Sequence, residues 1–233
     1  MKLSIILPAY NEERTISAIL DALARVDLSA LPEPVEKEVI VVDDASTDRT
    51  AEIVAQDARV HLVCHSANRG KGAAIRTGLA HAAGDVVIIQ DADMEYSVED
   101  YPALLRPFME EGAQALYGSR FLKRRRPTNM RWPNLVANRM LTSLANFLYG
   151  AKITDEATCY KLFRTSLLKS LPLRAESFDF CPEVTALVRL RGVRIHEAPI
   201  EYNARTRAEG KKVRWTHFMQ AVKTLIAYRL RPR

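Results

Sequence analysis

Several features that would assign a function class at once are missing from this sequence. No apolar run reaches the roughly 18–20 residues that a membrane-crossing helix needs. The first twelve residues, MKLSIILPAYNE, predict a strand interrupted by Pro8 that ends in charge, which is not the pattern of a signal peptide. The three cysteines and five histidines show no metal-ligand spacing, so we expect a reduced, cytoplasmic protein without a zinc site.

Nucleotide-binding signatures of the commonest kinds are also lacking. No G-x-G-x-x-G follows the first predicted strand, which argues against a dinucleotide-binding domain. The segment Asn68–Gly72 lacks the P-loop spacing, although its glycines and its position at a predicted helix start favour anion binding. Internal repeats and low-complexity linkers are absent from the 233 residues, and 48% of them are hydrophobic, so we expect a single domain.

What the sequence does contain is an alternation of short apolar runs with helical patterns. The runs are continuous rather than alternating, which is typical of strands buried on both faces. This predicts an α/β fold of three layers, α/β/α, with a mainly parallel sheet. The predicted strands of the first half are Leu3–Leu7, Val39–Val42, Val60–Cys64 and Val86–Ile89.

An acidic cluster directly follows the fourth of these strands. Asp91, Asp93 and Glu95 alternate with other residues, so in an extended segment all three would face one pocket. Ligands of open α/β sheets bind at the carboxyl ends of the strands. Hard carboxylate oxygens suit Mg²⁺ or Mn²⁺, and the cluster therefore predicts a metal site formed by Asp91, Asp93 and Glu95.

The formal net charge is +6, and the basic residues are concentrated late in the chain. Such a balance favours anionic partners, and Lys123–Arg126 could contact anionic headgroups or simply be a solvated loop. A nucleic-acid binder is a weaker alternative, because clustered carboxylates repel phosphate unless a metal intervenes. Two later helices are predicted from apolar stripes. For Asn134–Tyr149 the apolar side is Met140, Leu141, Leu144, Phe147 and Leu148, and the stripe from Trp215 to Ile226 is expected in the core.

Four motifs, taken in order, carry a family resemblance: Pro8–Glu12, Val41–Asp44, Gln90–Asp93 and Gly118–Arg120. The chain resembles inverting GT-A glycosyltransferases of glycosyltransferase family 2, and is most similar to polyprenyl-phosphate (dolichyl-phosphate) mannosyltransferases and glucosyltransferases. Thr154–Lys161 and Arg205–Lys212 extend the likeness through almost the whole chain. The resemblance implies a GT-A, Rossmann-like domain over residues 1–233, with a nucleotide-sugar-binding half at 1–96. The other half, 97–233, would bind the acceptor and end in a basic helix.

The resemblance also implies roles for individual residues. The nucleotide would be held by Pro8, Tyr10, Glu12, Val42 and Asp44. Asp91, Ala92 and Asp93 would meet the ribose and diphosphate of the donor, with Asp93 as the direct metal ligand. Arg120 would meet the acceptor phosphate, as would Arg139 and Thr142 in the helix that follows. Arg205 and Lys211 lie in a segment that resembles the family's mobile loop over the donor.

The implied reaction is the Mg²⁺- or Mn²⁺-dependent, inverting transfer of a hexose from GDP-mannose or UDP-glucose to a polyprenyl phosphate. We expect a protein peripherally bound to the cytoplasmic face of an anionic membrane, with no nucleic-acid partner. A separate membrane partner and the oligomeric state stay open. A phosphomonoester with a second pKa of about 6 is already an oxyanion and needs no general base.

A second interpretation keeps the fold but uses a soluble or polysaccharide hydroxyl as acceptor, for which Asp155 or Glu183 could serve as base. Structural roles for both carboxylates are preferred. A third interpretation is a nucleotidyltransferase, which is disfavoured because Pro8–Glu12 lacks the glycine-rich, basic first turn of those enzymes.

Overall fold

The computed structural model describes residues 1–124, 126–204 and 215–230. Strands and helices alternate through the first half, as the continuous apolar runs predict. The elements are β1 Lys2–Ala9, α1 Ile16–Arg25, β2 Glu36–Asp43, α2 Thr50–Ala55, β3 Val60–Cys64, α3 Lys71–His81, β4 Val86–Ile89, a 3₁₀ turn Val98–Asp100, α4 Tyr101–Glu110, β5 Ala115–Ser119, α5 Trp132–Tyr149, β6 Lys161–Arg164, α6 Thr165–Ser170, α7 Phe180–Leu190, β7 Ile195–Pro199 and α8 Trp215–Leu230.

The strands form one seven-stranded sheet in the order β3-β2-β1-β4-β6-β5-β7. The pairs β1/β2, β1/β4, β2/β3 and β5/β7 are parallel. Only β6 runs the other way, against β4 and β5. The predicted three-layer, mainly parallel α/β fold is therefore confirmed. All four residues of β4 are buried because helices cover both faces of the sheet.

Each face of the sheet has its own apolar core. Helices α1 and α4 cover one face, where Ile16, Ile19 and Leu23 of α1 are buried. Helices α3, α5, α7 and α8 cover the other, where Leu141 of α5 and Leu225 of α8 are buried. The carboxyl ends of β1, β2, β4 and β5 lie at the same edge of the sheet, and the loops that follow them build the site described below.

Two predictions about the later helices need correction. Helix α5 begins at Trp132 rather than Asn134, with Pro133 in its first turn, where a missing N–H costs nothing. Met140 and Phe147, predicted on its apolar side, are exposed, and so are Trp215 and Ile226 of the stripe predicted as core. No helix in the described ranges is both long and apolar enough to cross a membrane.

Candidate active site

A cavity of about 940 Å³ lies at the carboxyl ends of the strands. Its polar part collects residues that follow β1, β2, β4 and β5, together with the start of α3. Its apolar part lies between α5, α7 and α8. The lining includes Pro8, Tyr10, Glu12, Asp44, Asn68, Gly70, Lys71, Asp91, Ala92, Asp93, Glu95 and Arg120 on the polar side, and Pro133, Ala137, Leu141, Phe178, Phe180, Trp215, Phe218 and Ala221 on the apolar side.

The loop between β1 and α1 is fixed against the loop that follows β2. Asn11 has a positive φ of 53°, and its side-chain oxygen accepts a hydrogen bond from the Thr47 amide at 2.8 Å. The Glu12 amide donates to the Thr50 hydroxyl at 2.8 Å. These bonds hold Pro8, Tyr10 and Glu12 at the cavity wall, where the resemblance expects them.

Asp44 anchors the start of α3. Its carboxylate accepts from the amides of Arg69 at 2.9 Å and Gly70 at 2.7 Å, and from His65 Nδ1 at 2.7 Å. Buried charge is tolerated here because each oxygen is hydrogen-bonded. Val42, expected beside the nucleotide, differs from this pattern. It is fully buried in the apolar core against α3, so its side chain does not reach the cavity.

The acidic segment after β4 does not have the geometry that the sequence predicts. Ala92 and Asp93 form a turn, and Met94 has a φ of 59°, so the segment is not extended. Asp91 pairs with Lys71, while an Asp93 oxygen accepts from the Glu95 amide at 3.1 Å. The Glu95 carboxylate is buried and accepts a hydrogen bond from the Tyr202 hydroxyl. All three acids line the cavity, but the prediction that an extended segment would point them the same way is wrong.

This arrangement corrects the predicted metal site. Within the described ranges, no three His, Cys, Asp or Glu side chains form a group that could hold a metal ion. Glu95 is committed to Tyr202, so the predicted set of Asp91, Asp93 and Glu95 is not one ligand cluster. Mg²⁺ and Mn²⁺ are commonly held by one or two carboxylates plus substrate phosphates, however, and Asp91 and Asp93 at the cavity wall fit that requirement.

Lys71 lines the cavity, and sequence reasoning left it without a role. Burial lowers the pKa of Lys71, but the Asp91 carboxylate raises it well above the ordinary value, so the amine stays charged. Its Nζ also lies 3.4 Å from the Cys159 sulfur. The glycine-containing helix start in the sequence could have indicated a role for Lys71. No sequence pattern indicates that Lys71 pairs with Asp91, which is 20 residues away.

Arg120 forms a buried ion pair with Asp155. Its Nε and Nη2 donate to the two oxygens of Asp155 at 2.7 Å each, and its amide donates at 3.0 Å. The guanidinium also stacks on the Tyr202 ring at 5.0 Å. Burial alone would lower the pKa of Arg120, but Asp155 raises it. Since this pair takes up one side of the fork, Arg120 can offer an acceptor only its remaining N–H groups.

The residues predicted in α5 lie elsewhere. The Arg139 guanidinium is stacked 4.2 Å from the Phe121 ring, and its side chain is exposed. The Thr142 hydroxyl is buried and accepts from the Glu156 amide at 3.0 Å. Asn134 and Asn138, not Arg139 and Thr142, are the polar residues by which α5 lines the cavity. The expected loop residues Arg205 and Lys211 lie outside the described residues.

The carboxylates considered as general bases have structural contacts. Asp155 is fully buried under Arg120. Glu183 accepts from the amides of Arg174 at 2.8 Å and Ala175 at 2.9 Å, and from the Tyr228 hydroxyl. Glu156 is a further carboxylate at the cavity wall. Burial raises the pKa of its carboxyl, and its Oε2 has no hydrogen-bond partner among the described residues.

Comparison with known proteins assigns the chain to a family. The family model described as "Glycosyl transferase family 2" matches residues 4–171. Dolichyl-phosphate beta-glucosyltransferase ALG5A of Trichomonas vaginalis is 30% identical, over 96% of this chain and 72% of its own length. The dolichol-phosphate mannosyltransferase of Pyrococcus furiosus is 28% identical over 91% of this chain and 59% of its own.

Among solved structures, one neighbour is glucosyl-3-phosphoglycerate synthase from Mycobacterium tuberculosis, in complex with Mn²⁺, uridine diphosphate and phosphoglyceric acid. It superposes with a TM-score of 0.73 and 26% identity, covering 100% of this chain and 80% of its own. The fold and the relatives agree on the class of enzyme. This chain is a glycosyltransferase with a GT-A fold and belongs to glycosyl transferase family 2.

Proposed function

We propose that the protein transfers a hexose from a nucleotide sugar to a polyprenyl phosphate, with inversion at the anomeric carbon, at the cytoplasmic face of a membrane. The observation that carries this proposal is the composition of the cavity. One end has the carboxylates and the helix start suited to a metal-bound nucleoside diphosphate, and the other end is an apolar space between α5, α7 and α8. A donor and a lipid-linked acceptor could therefore meet inside a single cavity.

Donor binding would use the half of the chain before residue 97. The loop after β1 would border the nucleoside, and Asp44 would keep the α3 start in place. A divalent cation held by Asp91 and Asp93 would neutralise charge on the leaving diphosphate. Lys71, charged and beside Asp91, is placed to stabilise the negative charge that develops on the β-phosphate as the sugar leaves.

Acceptor binding would use residues after 97. A polyprenyl phosphate is already an oxyanion at neutral pH and needs positioning rather than deprotonation. Arg120, on the polar side of the cavity, would supply positive charge for its phosphate. Asp155 fixes the direction of that guanidinium. In-line attack from the face opposite the diphosphate then inverts the anomeric centre.

The test is a panel of donors and acceptors. GDP-mannose, UDP-glucose and UDP-N-acetylglucosamine would each be incubated with a short-chain polyprenyl phosphate and Mn²⁺, and product followed by mass spectrometry. We expect a sugar–phosphate–polyprenol from one donor. The proposal would be overturned if no donor gave a product with the lipid while the sugar was transferred to another acceptor, as distinct from hydrolysis of the donor by water.

A second candidate function is transfer to a small hydroxyl acceptor. The observation that favours it is the neighbour named glucosyl-3-phosphoglycerate synthase, which covers the whole of this chain. Such an acceptor needs a general base. Glu156, which lines the cavity and has one oxygen without a hydrogen-bond partner in the part of the chain that the structure describes, is a better placed candidate than Asp155 or Glu183. Including 3-phosphoglycerate in the acceptor panel separates the two functions.

A further inference from the structure

Helix α5 presents an exposed apolar stripe to solvent. Trp132 is 63% exposed and Phe147 is 85% exposed, and Val136 and Met140 between them are more than half exposed. At about 100° per residue, these four positions fall within a stripe about 80° wide. The buried residues of α5, including Leu141 and Ala145, lie on the opposite side of the helix. The stripe therefore points away from the core.

Helix α8 repeats this pattern. Trp215 is 65% exposed and Leu230 is 76% exposed, with Met219 and Ile226 also exposed between them. Its buried residues, Ala221, Leu225 and Tyr228, are again on the other side. The two helices contact each other in the layer on one face of the sheet, where the Tyr149 hydroxyl of α5 donates to the Leu225 carbonyl of α8. Both stripes thus belong to one outer surface, the α5/α8 face: Trp132, Val136, Met140, Phe147, Trp215, Met219, Ile226 and Leu230.

The stretches of sequence that contain these two helices have basic but no acidic residues. Between Gly112 and Thr154 the sequence has eight Lys or Arg and no Asp or Glu, and from Gly210 to the last residue it has seven and none. All 28 Asp and Glu lie in the rest of the chain. Arg139 on α5 and Lys223 on α8 are exposed next to the stripes. The Arg126 guanidinium lies 4.9 Å from the Trp132 ring.

The face is also continuous with the cavity. Trp215, which is 65% exposed, lines the cavity together with Phe218 and Ala221 of α8. Pro133, Ala137 and Leu141 line it from α5. An apolar ligand in the cavity would therefore lie between the same two helices whose outer sides carry the exposed stripes.

These observations select one kind of partner. A second copy of the chain would bring two faces of like charge together, which is unfavourable. A nucleic acid would satisfy the basic residues and stack on the tryptophans, but it offers nothing to Val136, Met140, Ile226 and Leu230. A partner with a negatively charged surface and an apolar layer just beneath it satisfies both the basic residues and the apolar stripes. Interfacial helices combine apolar and basic side chains in this way.

We infer that the α5/α8 face docks on an anionic lipid bilayer, with its apolar stripes at the boundary between headgroups and acyl chains. This deepens the proposed function and rests on it for its purpose, since a polyprenyl phosphate acceptor is presented by a membrane. Docking here places the apolar end of the cavity beside the bilayer, so the lipid enters between α5 and α8 while the donor enters from the aqueous side.

The test uses the native tryptophans. The chain has only two, and both lie on the α5/α8 face. The full-length protein, without nucleotide, is mixed with vesicles of phosphatidylcholine alone or with phosphatidylglycerol, each also prepared with brominated acyl chains. With anionic vesicles we expect co-sedimentation, a blue shift of tryptophan emission and quenching by the bromines. Neutral vesicles should bind at least tenfold more weakly.

A variant pair identifies the surface. Phe147→Ser with Ile226→Ser changes two exposed stripe residues that do not line the cavity, and should weaken binding to anionic vesicles about tenfold. Leu190→Ser, at an exposed apolar residue of α7, is the matched control and should bind as the parent does. Circular dichroism checks that each variant folds.

Three results would overturn the inference: no vesicle binding, binding without bromine quenching, or equal binding by the double variant. Competition of vesicle binding by an oligonucleotide with unchanged tryptophan emission would assign the face to nucleic acid instead. The proposed function is judged separately, by transfer to a water-soluble short polyprenyl phosphate. Transfer without vesicle binding would contradict only the docking inference. Vesicle binding without transfer to any polyprenyl phosphate would contradict only the proposed function.

Discussion

At the scale of single residues, Arg120 and Asp155 form a buried ion pair beside the cavity, bonded through two N–H donors and two oxygens. Arg120→Lys keeps the charge but loses the fork. We expect the acceptor KM to rise about tenfold and the free energy of unfolding to fall by about 1–3 kcal/mol, as for a charged hydrogen bond lost in a buried place. Donor binding, measured by calorimetry, should change less than twofold.

Asp155→Asn is the companion variant to Arg120→Lys, because it keeps the shape of the side chain and can still accept from Arg120. It should retain measurable transfer. An inactive Asp155→Asn protein that folds and binds donor would mean that Asp155 acts in the chemistry and not only as a support for Arg120.

Asp93 is the residue expected to matter most for the metal. Asp93→Ala should reduce transfer by about 100-fold or more, because stabilisation of the leaving diphosphate would depend on the cation that Asp93 is proposed to hold. Glu99→Ala, at an exposed carboxylate close in sequence, is the control and should retain parental activity. EDTA should inactivate the parent protein, with recovery on adding Mn²⁺. Full activity in EDTA would disprove a role for Asp91 and Asp93 in metal binding.

Glu156 provides a test by pH. Burial raises the pKa of its carboxyl above the unfolded value, so the folded protein favours the protonated form. Its stabilising effect is therefore present below the unfolded pKa, near 4.3, and is lost as the pH rises through the folded pKa. Glu156→Gln does not titrate.

The difference in Tm, variant minus parent, should consequently increase between pH 4.5 and pH 8. Thermal unfolding followed by circular dichroism measures it, and Glu99→Gln at an exposed position should show a flat difference. A Glu156→Gln difference that stays constant or falls with pH contradicts the assigned direction.

At the scale of elements, the start of α3 is a tightly packed turn of the polar site. Gly70 has a φ of 89°, and a Cβ there would lie 2.3 Å from the Glu176 carbonyl oxygen. Gly70→Ala should lower the free energy of unfolding by about 3 kcal/mol or more. A positive φ at a residue with a Cβ costs about 1–3 kcal/mol, and the clash of that Cβ with the Glu176 carbonyl adds to this cost. The substitution should also weaken binding of the nucleoside diphosphate, since the hydrogen bond from the Gly70 amide helps to fix the Asp44 carboxylate.

Gly112→Ala is the matched control. Gly112 also has a positive φ, of 65°, but an added Cβ there meets no atom within 4 Å. Urea unfolding should show a smaller loss for this variant, and calorimetry should show unchanged nucleotide binding. Equal losses for the two variants would mean that the contact with Glu176 is unimportant.

The elements also show how far sequence reasoning reaches. Continuous apolar runs are enough to predict β1 to β4 and the parallel sheet, because burial on both faces leaves a local signature. The turn at Ala92–Asp93 has no such signature: it depends on the left-handed Met94 and on Tyr202, which is 107 residues from Glu95. Likewise, an apolar stripe in α8 predicts a helix, but not that Trp215 and Leu230 face outward while Leu225 faces the core.

The candidate site divides in the same way. Parallel topology alone brings one group of residues to the cavity, because they lie at or just after the carboxyl ends of strands: Pro8, Tyr10, Glu12, Asp44, Asp91, Ala92 and Asp93. Arg139 and Thr142 lie on a helix whose rotation is set by packing, and a shift of one or two positions moves a side chain to another face. Asn134 and Asn138 line the cavity as a result.

At the scale of the whole molecule, the acidic groups of the site and the exposed apolar side chains belong to different parts of the protein. The half of the sheet edge that holds Asp44, Asp91 and Asp93 suits a metal-bound nucleotide, while the exposed stripes of α5 and α8 lie in segments without a single carboxylate. A cavity that connects the two suits a reaction between a water-soluble donor and a lipid acceptor. The central claim is therefore that the nucleophile is the phosphate oxygen of a polyprenyl phosphate.

The most direct test follows that phosphate by ³¹P NMR. Purified protein with Mn²⁺ converts a short-chain polyprenyl phosphate in the presence of the donor selected by the panel, and the Mn²⁺ is chelated after the reaction, before the spectrum is recorded. We predict that the phosphomonoester signal is replaced by a phosphodiester signal coupled to an anomeric proton of inverted configuration. If nucleoside diphosphate is released and sugar appears on a hydroxyl acceptor while the monoester signal stays unchanged, the account is contradicted.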